Sequence, residues 1–499
     1  MTIKDQSSNN TWELALFSDI NAHKSKSMQP KDHLGSTFEL FSVPIFPTGH
    51  PEVLQADEIG SSKQFVQSGD VLICKINPRI NRVWHVSKFG NYSQIASSEW
   101  IVFRQENLNS QFFTWYFRSE QFRTKLCADV TGVGGSLTRA QPKVVSKFLI
   151  PVPPLAEQKV IADKLDTLLA QVEKIKARLE RIPNILKQFR QSVLTAAVSG
   201  KLTEEWRKKN TLGDDISTGN TLYKQSIEKH RFHFGKKYKD PVDIDLRMLD
   251  IDVPSSWVYG IASHLVIPTA DIVYGIVQPG PKLEVGIPYI RGTDIENGKI
   301  KVNQLLKTST EIAKKYERAS LLGGDILLGI IRATKVAIIP DDLTGANITQ
   351  GTARFRANED AINSVFLSIY LQAPKTQSWL HSNYRGIDMP GLNLKDVRRL
   401  PVPVCPLDEQ EEIVSRVEEL LAFADSIEQK SNAALERVNN LTQSILAKAF
   451  RGELTAEWRE ANTDLITGEN SAEALLKKII AEREAMKPVK KTNKKKVTG

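Results

Sequence analysis

The segment GKLTEEWRKKN at residues 200–210 recurs as GELTAEWREAN at residues 452–462. A second motif, PLAEQ at 154–158, recurs as PLDEQ at 406–410. Both pairs are separated by the same 252 residues (154 to 406 and 200 to 452), so the stretch between the motifs aligns without a gap. A long internal repeat predicts two similar halves in tandem, and each half is expected to do the same kind of work.

The length and the net charge of the chain limit the classes of protein to which it can belong. The chain has 499 residues, so several domains are expected, and each half is long enough to bury a core. The net charge is +9 and the pI is about 9.1, which favours an acidic partner, with nucleic acid first. The alternative is a soluble protein that is merely basic.

Cysteine usage and the short apolar runs indicate a cytoplasmic protein. Cys74, Cys127 and Cys405 are far apart and form no CxxC pair, which argues against a disulfide framework or a zinc site. The first residues, MTIKDQSSNN, lack the apolar core of a signal peptide. No apolar run approaches the roughly 18 residues that a membrane span needs.

Between the two motifs of each copy, apolar residues recur in alternating steps of four and three. One stripe runs from Ile161 to Val193 and the other from Ile413 to Ile445. This is the a/d pattern of a coiled coil, so two long helices are predicted. Either the two stripes pack on each other, which the narrow seam favours, or each helix packs on its own neighbouring domain. The residues expected in the seam are Leu165, Leu168, Val172, Ile175, Val417, Leu420, Ile427 and Val438.

The helix ends are marked as well. Pro154 and Pro406 suit a first helical turn, and Gly200 and Gly452 suit the C-terminal caps. Pro183 lies inside the first stripe and is expected to kink or split that helix near residue 180. An antiparallel pair is favoured, because it keeps the connections short and brings the globular regions to opposite ends.

The region before each long helix has a mixed α and β pattern. Gly69-Asp70 and Gly324-Asp325 each precede an apolar run, which is typical of a turn entering a strand. Asn297-Gly298 predicts a hairpin. The expected fold class is therefore α+β: two mixed α/β domains joined by two long helices, which form an antiparallel coiled coil in a pseudo-two-fold tandem repeat.

Motifs for catalysis are missing from the sequence. There is no phosphate loop of the form GxxxxGK[ST]. The Pro-Pro pair at 153–154 is followed by Leu155, whereas amino-methyltransferases need an aromatic residue there. His230 and His233 have no cysteine or acid at metal-ligand spacing. The chain is therefore predicted not to be an enzyme and to hold no metal or other cofactor itself.

Basic and amide side chains occupy corresponding loops of the two halves. One loop follows the predicted strand after Gly69 or Gly324, and the other is a glycine-containing loop before each long helix. Arg, Asn and Gln can pair bidentately with guanine or adenine. One such residue alone is explained as ordinary surface, whereas paired placement favours DNA contact. The predicted DNA-binding residues are Lys75, Asn77, Arg79, Arg82, Arg139, Gln141, Lys143, Arg332, Lys335, Arg385, Asn393 and Lys395.

Together these features resemble the specificity subunit of a type I DNA restriction-modification enzyme. The resemblance rests on the duplicated PLxEQ motif, on the helix ends SGKLTEEWR and RGELTAEWR, and on the alternation of variable region and helix. It covers the chain except its basic tail. It implies target recognition domains at 1–150 and 245–400, conserved helical regions at 151–244 and 401–487, and a disordered tail at 488–499.

The resemblance also implies a function. Each target recognition domain is expected to read one half of a bipartite, asymmetric site on double-stranded DNA, and the helices to set the gap between the half-sites. Two modification subunits are expected to methylate adenine with S-adenosylmethionine, and two restriction subunits to cleave DNA with ATP and Mg²⁺. These cofactors are expected on the partner subunits and none on this chain.

Two other functions stay open at this point. A coiled-coil scaffold whose globular ends bind proteins would show no salt-dependent DNA binding. A self-contained modification or restriction enzyme is disfavoured by the missing motifs. The segments 202–207 and 454–459 either dock the modification subunits or only seal the helix ends.

Overall fold

The computed structural model describes residues 3–4, 11–128, 130–131, 138–210, 218–240 and 251–485. The chain divides into two compact units. Unit 1 combines Met1–Glu180 with Ala433–Gly499, and unit 2 is Arg181–Asn432. Each unit therefore holds one globular region and pieces of both repeat copies. The predicted basic tail at 488–499 and the glycine run at 132–137 lie outside the described residues.

The first part of unit 1 consists of short strands and a few helices. Its strands are β1 Ile3–Lys4, β2 Glu13–Leu16, β3 Ser27–Met28, β4 Thr37–Phe41, β5 Glu52–Gln55, β6 Lys63–Phe65, β7 Val71–Cys74, β8 Val83–His85, β9 Ser93–Ser97, β10 Trp100–Phe103, β11 Val130–Thr131, β12 Arg139–Ala140 and β13 Leu149–Val152. Its helices are α1 Phe17–Ile20, α2 Ser110–Arg118, α3 Glu120–Ala128, α4 Pro142–Val145 and α5 Leu155–Leu179.

Unit 2 and the C-terminal part follow in chain order. The helices are α6 Ile182–Val198, α7 Glu204–Lys209, α8 Gly219–Phe234, α9 Thr310–Lys315, α10 Ser364–Gln372, α11 Pro374–Ser382, α12 Leu394–Arg398, α13 Leu407–Phe450, α14 Ala456–Ala461 and α15 Ala472–Ala485. The strands are β14 Val258–Ile261, β15 Val273–Tyr274, β16 Ile287–Ile290, β17 Ile295–Glu296, β18 Lys299–Ile300, β19 Leu306–Thr308, β20 Ile326–Gly329, β21 Val336–Ile338, β22 Asn347–Ile348, β23 Thr352–Phe355 and β24 Pro401–Val404.

The two globular regions share one order of elements although their sequences diverge. In unit 1, β4 pairs in parallel with β9 and antiparallel with β5. In unit 2, β16 pairs in parallel with β22 and antiparallel with β19. The strand order β10-β7-β8 recurs as β23-β20-β21. The prediction of two mixed α/β domains in a tandem repeat is confirmed.

The turns that were predicted from glycine are present. Gly69 and Gly324 have positive φ angles of 92° and 84°, and each turn leads into a buried strand, β7 or β20. The aspartate that follows each glycine is buried and accepts two hydrogen bonds from one arginine, Arg104 on Asp70 and Arg356 on Asp325. These bidentate pairs fix the entry of the strand that carries the predicted contact loop. Asn297-Gly298 joins β17 and β18, as predicted.

The first long helix is split where proline predicts it. Helix α5 ends at Leu179, and α6 begins at Ile182 with Pro183 in its first turn. Proline cannot donate the backbone hydrogen bond of a helix interior, so the break falls at this residue. The second copy has Leu435 at the matching position, and α13 continues through it for 44 residues. Gly200 and Gly452 have φ angles of 69° and 74°, as expected of C-terminal caps.

The helices of the two copies run antiparallel within each unit. In unit 1, Ile161 and Leu165 of α5 share a core with Leu446 and Phe450, which lie at the far end of α13. In unit 2, Arg190 of α6 contacts Asp425 at 2.6 Å and Glu428 at 2.8 Å. The apolar core that holds the long helices also includes α2 in unit 1 and α10 in unit 2, and both of these helices belong to the globular regions. Each helix therefore packs both on its partner helix and on its neighbouring domain.

The seam prediction is wrong at one position. Leu165, Val172, Val417 and Val438 are buried, and Leu168, Leu420 and Ile427 are half-buried, but Ile175 is 46% exposed. The buried stripe of α5 advances through Leu169 to Val172, and its next half-buried positions are Lys176 and Leu179. Because α5 also packs on the domain, its buried face follows the 3.6-residue pitch rather than a strict heptad.

Glu157 of the first PLxEQ motif is completely buried and joins distant parts of unit 1. It accepts hydrogen bonds from the indole Nε1 of Trp12 at 2.9 Å and from Thr455 Oγ1 at 2.7 Å. The guanidinium of Arg459 lies 2.6 Å from the same carboxylate. A carboxylate buried in this way needs such partners, because an unpaired buried charge is strongly destabilising. Thr455 and Arg459 belong to the second repeat copy.

Glu409 of the second PLxEQ motif makes the same contacts in unit 2. It accepts from Trp257 Nε1 at 2.9 Å and from Thr203 Oγ1 at 2.7 Å, and Arg207 forms the ion pair. Here the threonine and arginine come from the first copy. Each glutamate is thus paired with residues of the opposite copy, so both copies are needed to complete either unit.

The glutamine of each PLxEQ motif attaches the long helix to the globular region. Gln158 Oε1 accepts the backbone N–H of Asn109 at 2.9 Å, and Gln410 Oε1 accepts that of Asn363 at 2.7 Å. Asn109 and Asn363 are the N-caps of α2 and α10. The orientation of each domain on its own helix is therefore fixed by buried hydrogen bonds as well as by apolar packing.

Candidate nucleic-acid interface

In unit 1 the two predicted contact loops meet through backbone hydrogen bonds. The chain leaving β7 pairs with β12, where Ala140 N–H donates to the Lys75 carbonyl at 2.9 Å. Asn77 N–H donates to the Thr138 carbonyl, also at 2.9 Å. These bonds place Arg139 directly opposite Ile76. Residues that are about 60 positions apart in the sequence therefore form one surface.

Unit 2 repeats this arrangement. Leu392 N–H donates to the Ile330 carbonyl and Arg332 N–H to the Pro390 carbonyl, both at 2.8 Å. Gly391 stands opposite Ile331, in the place of Arg139 in unit 1. The structure thus brings the predicted loops together in both units, with the same backbone pairing and different side chains.

One residue in each junction has an unusual backbone. Asn77 has φ of 51° and Arg332 has φ of 65°, and both directly follow the paired strand extension. Left-handed backbone costs a residue with a side chain about 1 kcal/mol or more, and less for asparagine than for arginine. Such strain concentrates at functional sites, where the fold imposes a side-chain direction.

The predicted residues of unit 1 differ in their exposure. Arg79, Arg139, Gln141 and Lys143 are exposed, whereas Lys75, Asn77 and Arg82 are half-buried. Arg139 forms an ion pair with Glu99 at 3.1 Å. Trp84, which follows this loop in the sequence, is 5% exposed and packs in a core with Phe41 and Trp100, so it does not face a ligand.

The predicted residues of unit 2 are all exposed: Arg332, Lys335, Arg385, Asn393 and Lys395. Asn393 also has a structural role, since its side chain caps α12 by accepting the Lys395 N–H at 2.8 Å. Arg385, whose side chain is 70% exposed, forms an ion pair at 3.1 Å with Asp396, whose side chain is only 16% exposed. In both pairs the arginine side chain is more than half exposed, so Arg139 and Arg385 are accessible to a ligand.

The described residues show neither a metal-ligand cluster nor an activated thiol. No group of three or more His, Cys, Asp or Glu side chains is placed to hold a metal ion in the part of the chain that the structure describes. Burial raises the pKa of the Cys74, Cys127 and Cys405 thiols, which disfavours the thiolate that a nucleophile needs. Among the described helices, none is long and apolar enough to cross a membrane.

The chain matches the family model of the type I restriction modification DNA specificity domain twice, over residues 47–184 and 281–437. It is 42% identical over 396 residues to the type I restriction enzyme EcoBI specificity subunit of Escherichia coli, covering 79% of this chain and 76% of that one. It is 36% identical over 416 residues to the EcoKI specificity subunit of Escherichia coli strain K12, covering 82% and 78%. The chain belongs to the family of type I restriction-modification specificity subunits, whose part in these systems is DNA sequence specificity.

Solved structures support the fold. The HsdS subunit from Thermoanaerobacter tengcongensis aligns with a TM-score of 0.58 at 19% identity, over 89% of this chain and 97% of that chain. A chain from work on complex assembly and conformational transition of the type I R-M system aligns equally well, at 0.58 and 17% identity, over 89% and 98%.

Sequence reasoning missed the roles of Glu157, Glu409 and their partners. The signal was present, because the Glu, Thr and Arg recur in both copies. The apolar periodicity predicts only that these residues are polar groups near the helix ends, so it could not predict their burial. For the segments 202–207 and 454–459, the structure places Thr203, Arg207, Thr455 and Arg459 in the buried clusters. Docking of partner subunits at these segments stays a prediction.

Proposed function

We propose that the chain reads a bipartite, asymmetric DNA site, with one half-site for each unit. The observation that carries this proposal is the two-loop surface, which has the same backbone pairing in both units and different side chains on it. Because the backbone pairing of the loops is the same in both units, both units are expected to contact DNA in the same way. Different side chains, such as Arg139 in one unit and Gly391 at its place in the other, favour different half-sites.

We further propose that this chain does no chemistry and directs partner subunits. Two modification subunits would methylate one adenine in each strand, using S-adenosylmethionine that they bind. Two restriction subunits would supply ATP-dependent cleavage with Mg²⁺. Support comes from the names of the relatives, which are specificity subunits of type I restriction enzymes, and from the lack of catalytic motifs in the sequence.

A genome-wide map of N6-methyladenine tests the proposal. In cells that carry the gene and its partners, a two-part asymmetric motif with a fixed unspecified gap is expected, and this motif disappears on deletion of the gene. The map reads both half-sites and the gap at once.

The control is a deletion strain complemented with the intact gene, which should recover the same motif. If no motif changes while the partner subunits are expressed, the proposal fails and the scaffold alternative takes its place. Salt-dependent DNA binding would then also be absent.

A further inference from the structure

A loop in unit 2 presents two apolar side chains to solvent. Ile387 is 98% exposed and Met389 is 55% exposed, and they lie between Tyr384 and Pro390. A single exposed apolar residue needs no explanation. Here, however, two of them occupy the tip of one loop, and Ile387 is left almost entirely in solvent.

The base of this loop is held by backbone hydrogen bonds. Arg385 N–H donates to the Gly391 carbonyl at 2.9 Å, and Gly391 N–H donates back at 3.0 Å. Gly386 has φ of 97°, where a side chain would be strained. The tip is therefore presented on a closed base, which lowers the ordering cost when it binds.

The loop belongs to the candidate DNA interface. Its last residue, Pro390, accepts the Arg332 N–H at 2.8 Å, and Arg385 is exposed at its base. Arg385 thus places a positive side chain at the base of the loop, where it can meet a phosphate. The tip carries Asp388, which is unfavourable beside phosphate but can accept a hydrogen bond from the guanine amino group in the minor groove.

We propose that Ile387 and Met389 form an apolar wedge that enters a groove of the DNA and inserts between stacked bases in the half-site read by unit 2. This inference rests on the proposed function. Isoleucine and methionine are among the residues that proteins use to unstack a base step and kink the duplex. Because the tip of the loop is already exposed in the free protein, its insertion into DNA leaves no cavity in the protein.

The experiment uses the full chain purified with its modification subunit and duplexes that contain the mapped site. 2-Aminopurine replaces single bases across both half-sites, except the methylated adenine, which leaves the stack for a different reason. The variant is Ile387→Ala combined with Met389→Ala. The matched control is Val285→Ala, since Val285 is an 86% exposed aliphatic residue elsewhere in unit 2.

The intact protein is expected to raise 2-aminopurine fluorescence several-fold at one base step of the half-site read by unit 2. The double variant is expected to lose this rise. It should also bind the site roughly ten to a hundred times more weakly, because it lacks the two apolar side chains that become buried in the DNA. The Val285→Ala variant should behave as the intact protein does.

Other outcomes overturn the wedge and identify the reason. Specific binding without a fluorescence rise, or an equal rise in the double variant, removes the wedge and leaves the proposed function intact. Loss of the modification subunit from the double variant means that the loop contacts protein instead. If the intact protein shows no specific binding, the proposed function fails, and the wedge fails with it.

Discussion

At the scale of single residues, the side chains that stabilise the fold differ from those that are exposed to a ligand. Glu157 and Glu409 have every partner they need within their units. Arg332 has the opposite character, because its backbone is strained and its side chain is exposed. Buried and satisfied groups predict losses of stability on substitution, whereas strained and exposed ones predict losses of binding.

Replacement of Arg332 by alanine is expected to weaken recognition of the half-site read by unit 2 by about 1–3 kcal/mol, which is the usual value of a bidentate base contact. Binding competition with duplexes altered in one half-site at a time measures this. Arg318→Ala is the matched control, because Arg318 is exposed in the same unit and belongs to neither of the two loops. Arg139→Ala should affect the other half-site. A uniform loss across unrelated sequences would instead indicate a phosphate contact.

Replacement of Glu157 by alanine is expected to destabilise unit 1 by roughly 3–5 kcal/mol, because it leaves the Arg459 guanidinium without its buried partner. Hydrogen exchange should show lost protection in β2 and α2, with unit 2 unchanged. Glu173→Ala, on the exposed face of the same helix, should leave both units as they are. Equal protection in the two variants would show that the buried cluster does not stabilise the unit.

At the scale of elements, the helices show what sequence patterns can predict. The heptad stripe and Pro183 were sufficient to predict two helical segments and a break between them, and the glycines predicted the caps. The exposure of Ile175 could not be predicted, because a stripe does not reveal whether a helix faces one partner or two. The pairing of Glu157 with the opposite copy was also hidden, since Thr203 with Arg207 and Thr455 with Arg459 offer the same chemistry.

The same ambiguity applies to the candidate interface. Its loops were found from charge and from their matched positions, but the sequence could not show that Lys75 and Arg82 are half-buried or that Trp84 is core. Those differences depend on strand pairing between distant residues. The exposed apolar tip at Ile387 had no sequence signal, because an isoleucine in a loop is as easily buried as exposed.

The length of the helices is expected to determine the gap between half-sites. From the sequence, an insertion after Gly200 would test this, but Gly200 is buried and its carbonyl accepts Arg207 Nη2 at 2.7 Å. Suitable points are Glu180–Arg181 and Asn432–Ala433, which are exposed and where the chain passes from one unit to the other. Four helical residues add about 6 Å, or about two base pairs.

Insertion of four residues at both points is therefore expected to lengthen the gap by one or two base pairs, with both half-sites unchanged. This is about the rise of one turn of α-helix. The methylation map measures it. A four-residue insertion after the exposed Glu469 in unit 1 is the control and should leave the gap as it was. An unaltered gap in the double insertion would contradict the idea that the helices set the spacing.

At the scale of the whole molecule, each unit is complete only with residues from both repeat copies. Unit 2 is one continuous stretch, Arg181–Asn432, whereas unit 1 joins the two ends of the chain. Leu446, Phe450 and Arg459 all belong to unit 1. Damage near the C-terminus should therefore affect the domain at the N-terminus and spare the nearer one.

A chain that ends at Asn440 tests this directly. It lacks the core residues Leu446 and Phe450 and the cluster residues Thr455 and Arg459, so unit 1 should be cleaved rapidly in limited proteolysis while unit 2 resists. A chain that ends at Ala485 keeps all of these groups and serves as the control. Equal resistance of unit 1 in both chains would refute the mutual dependence of the copies.

The buried Glu157 cluster also has a consequence for how the protein is made. During translation, the residues of unit 2 have all been synthesised before Thr455 and Arg459, the last partners of Glu157, are added to the chain. The first domain to be translated is thus the last to be completed. At about 5–20 residues per second, the apolar face of α5 waits on the order of ten seconds or more for Leu446 and Phe450. That interval is when the nascent chain is most exposed to aggregation and most in need of a chaperone.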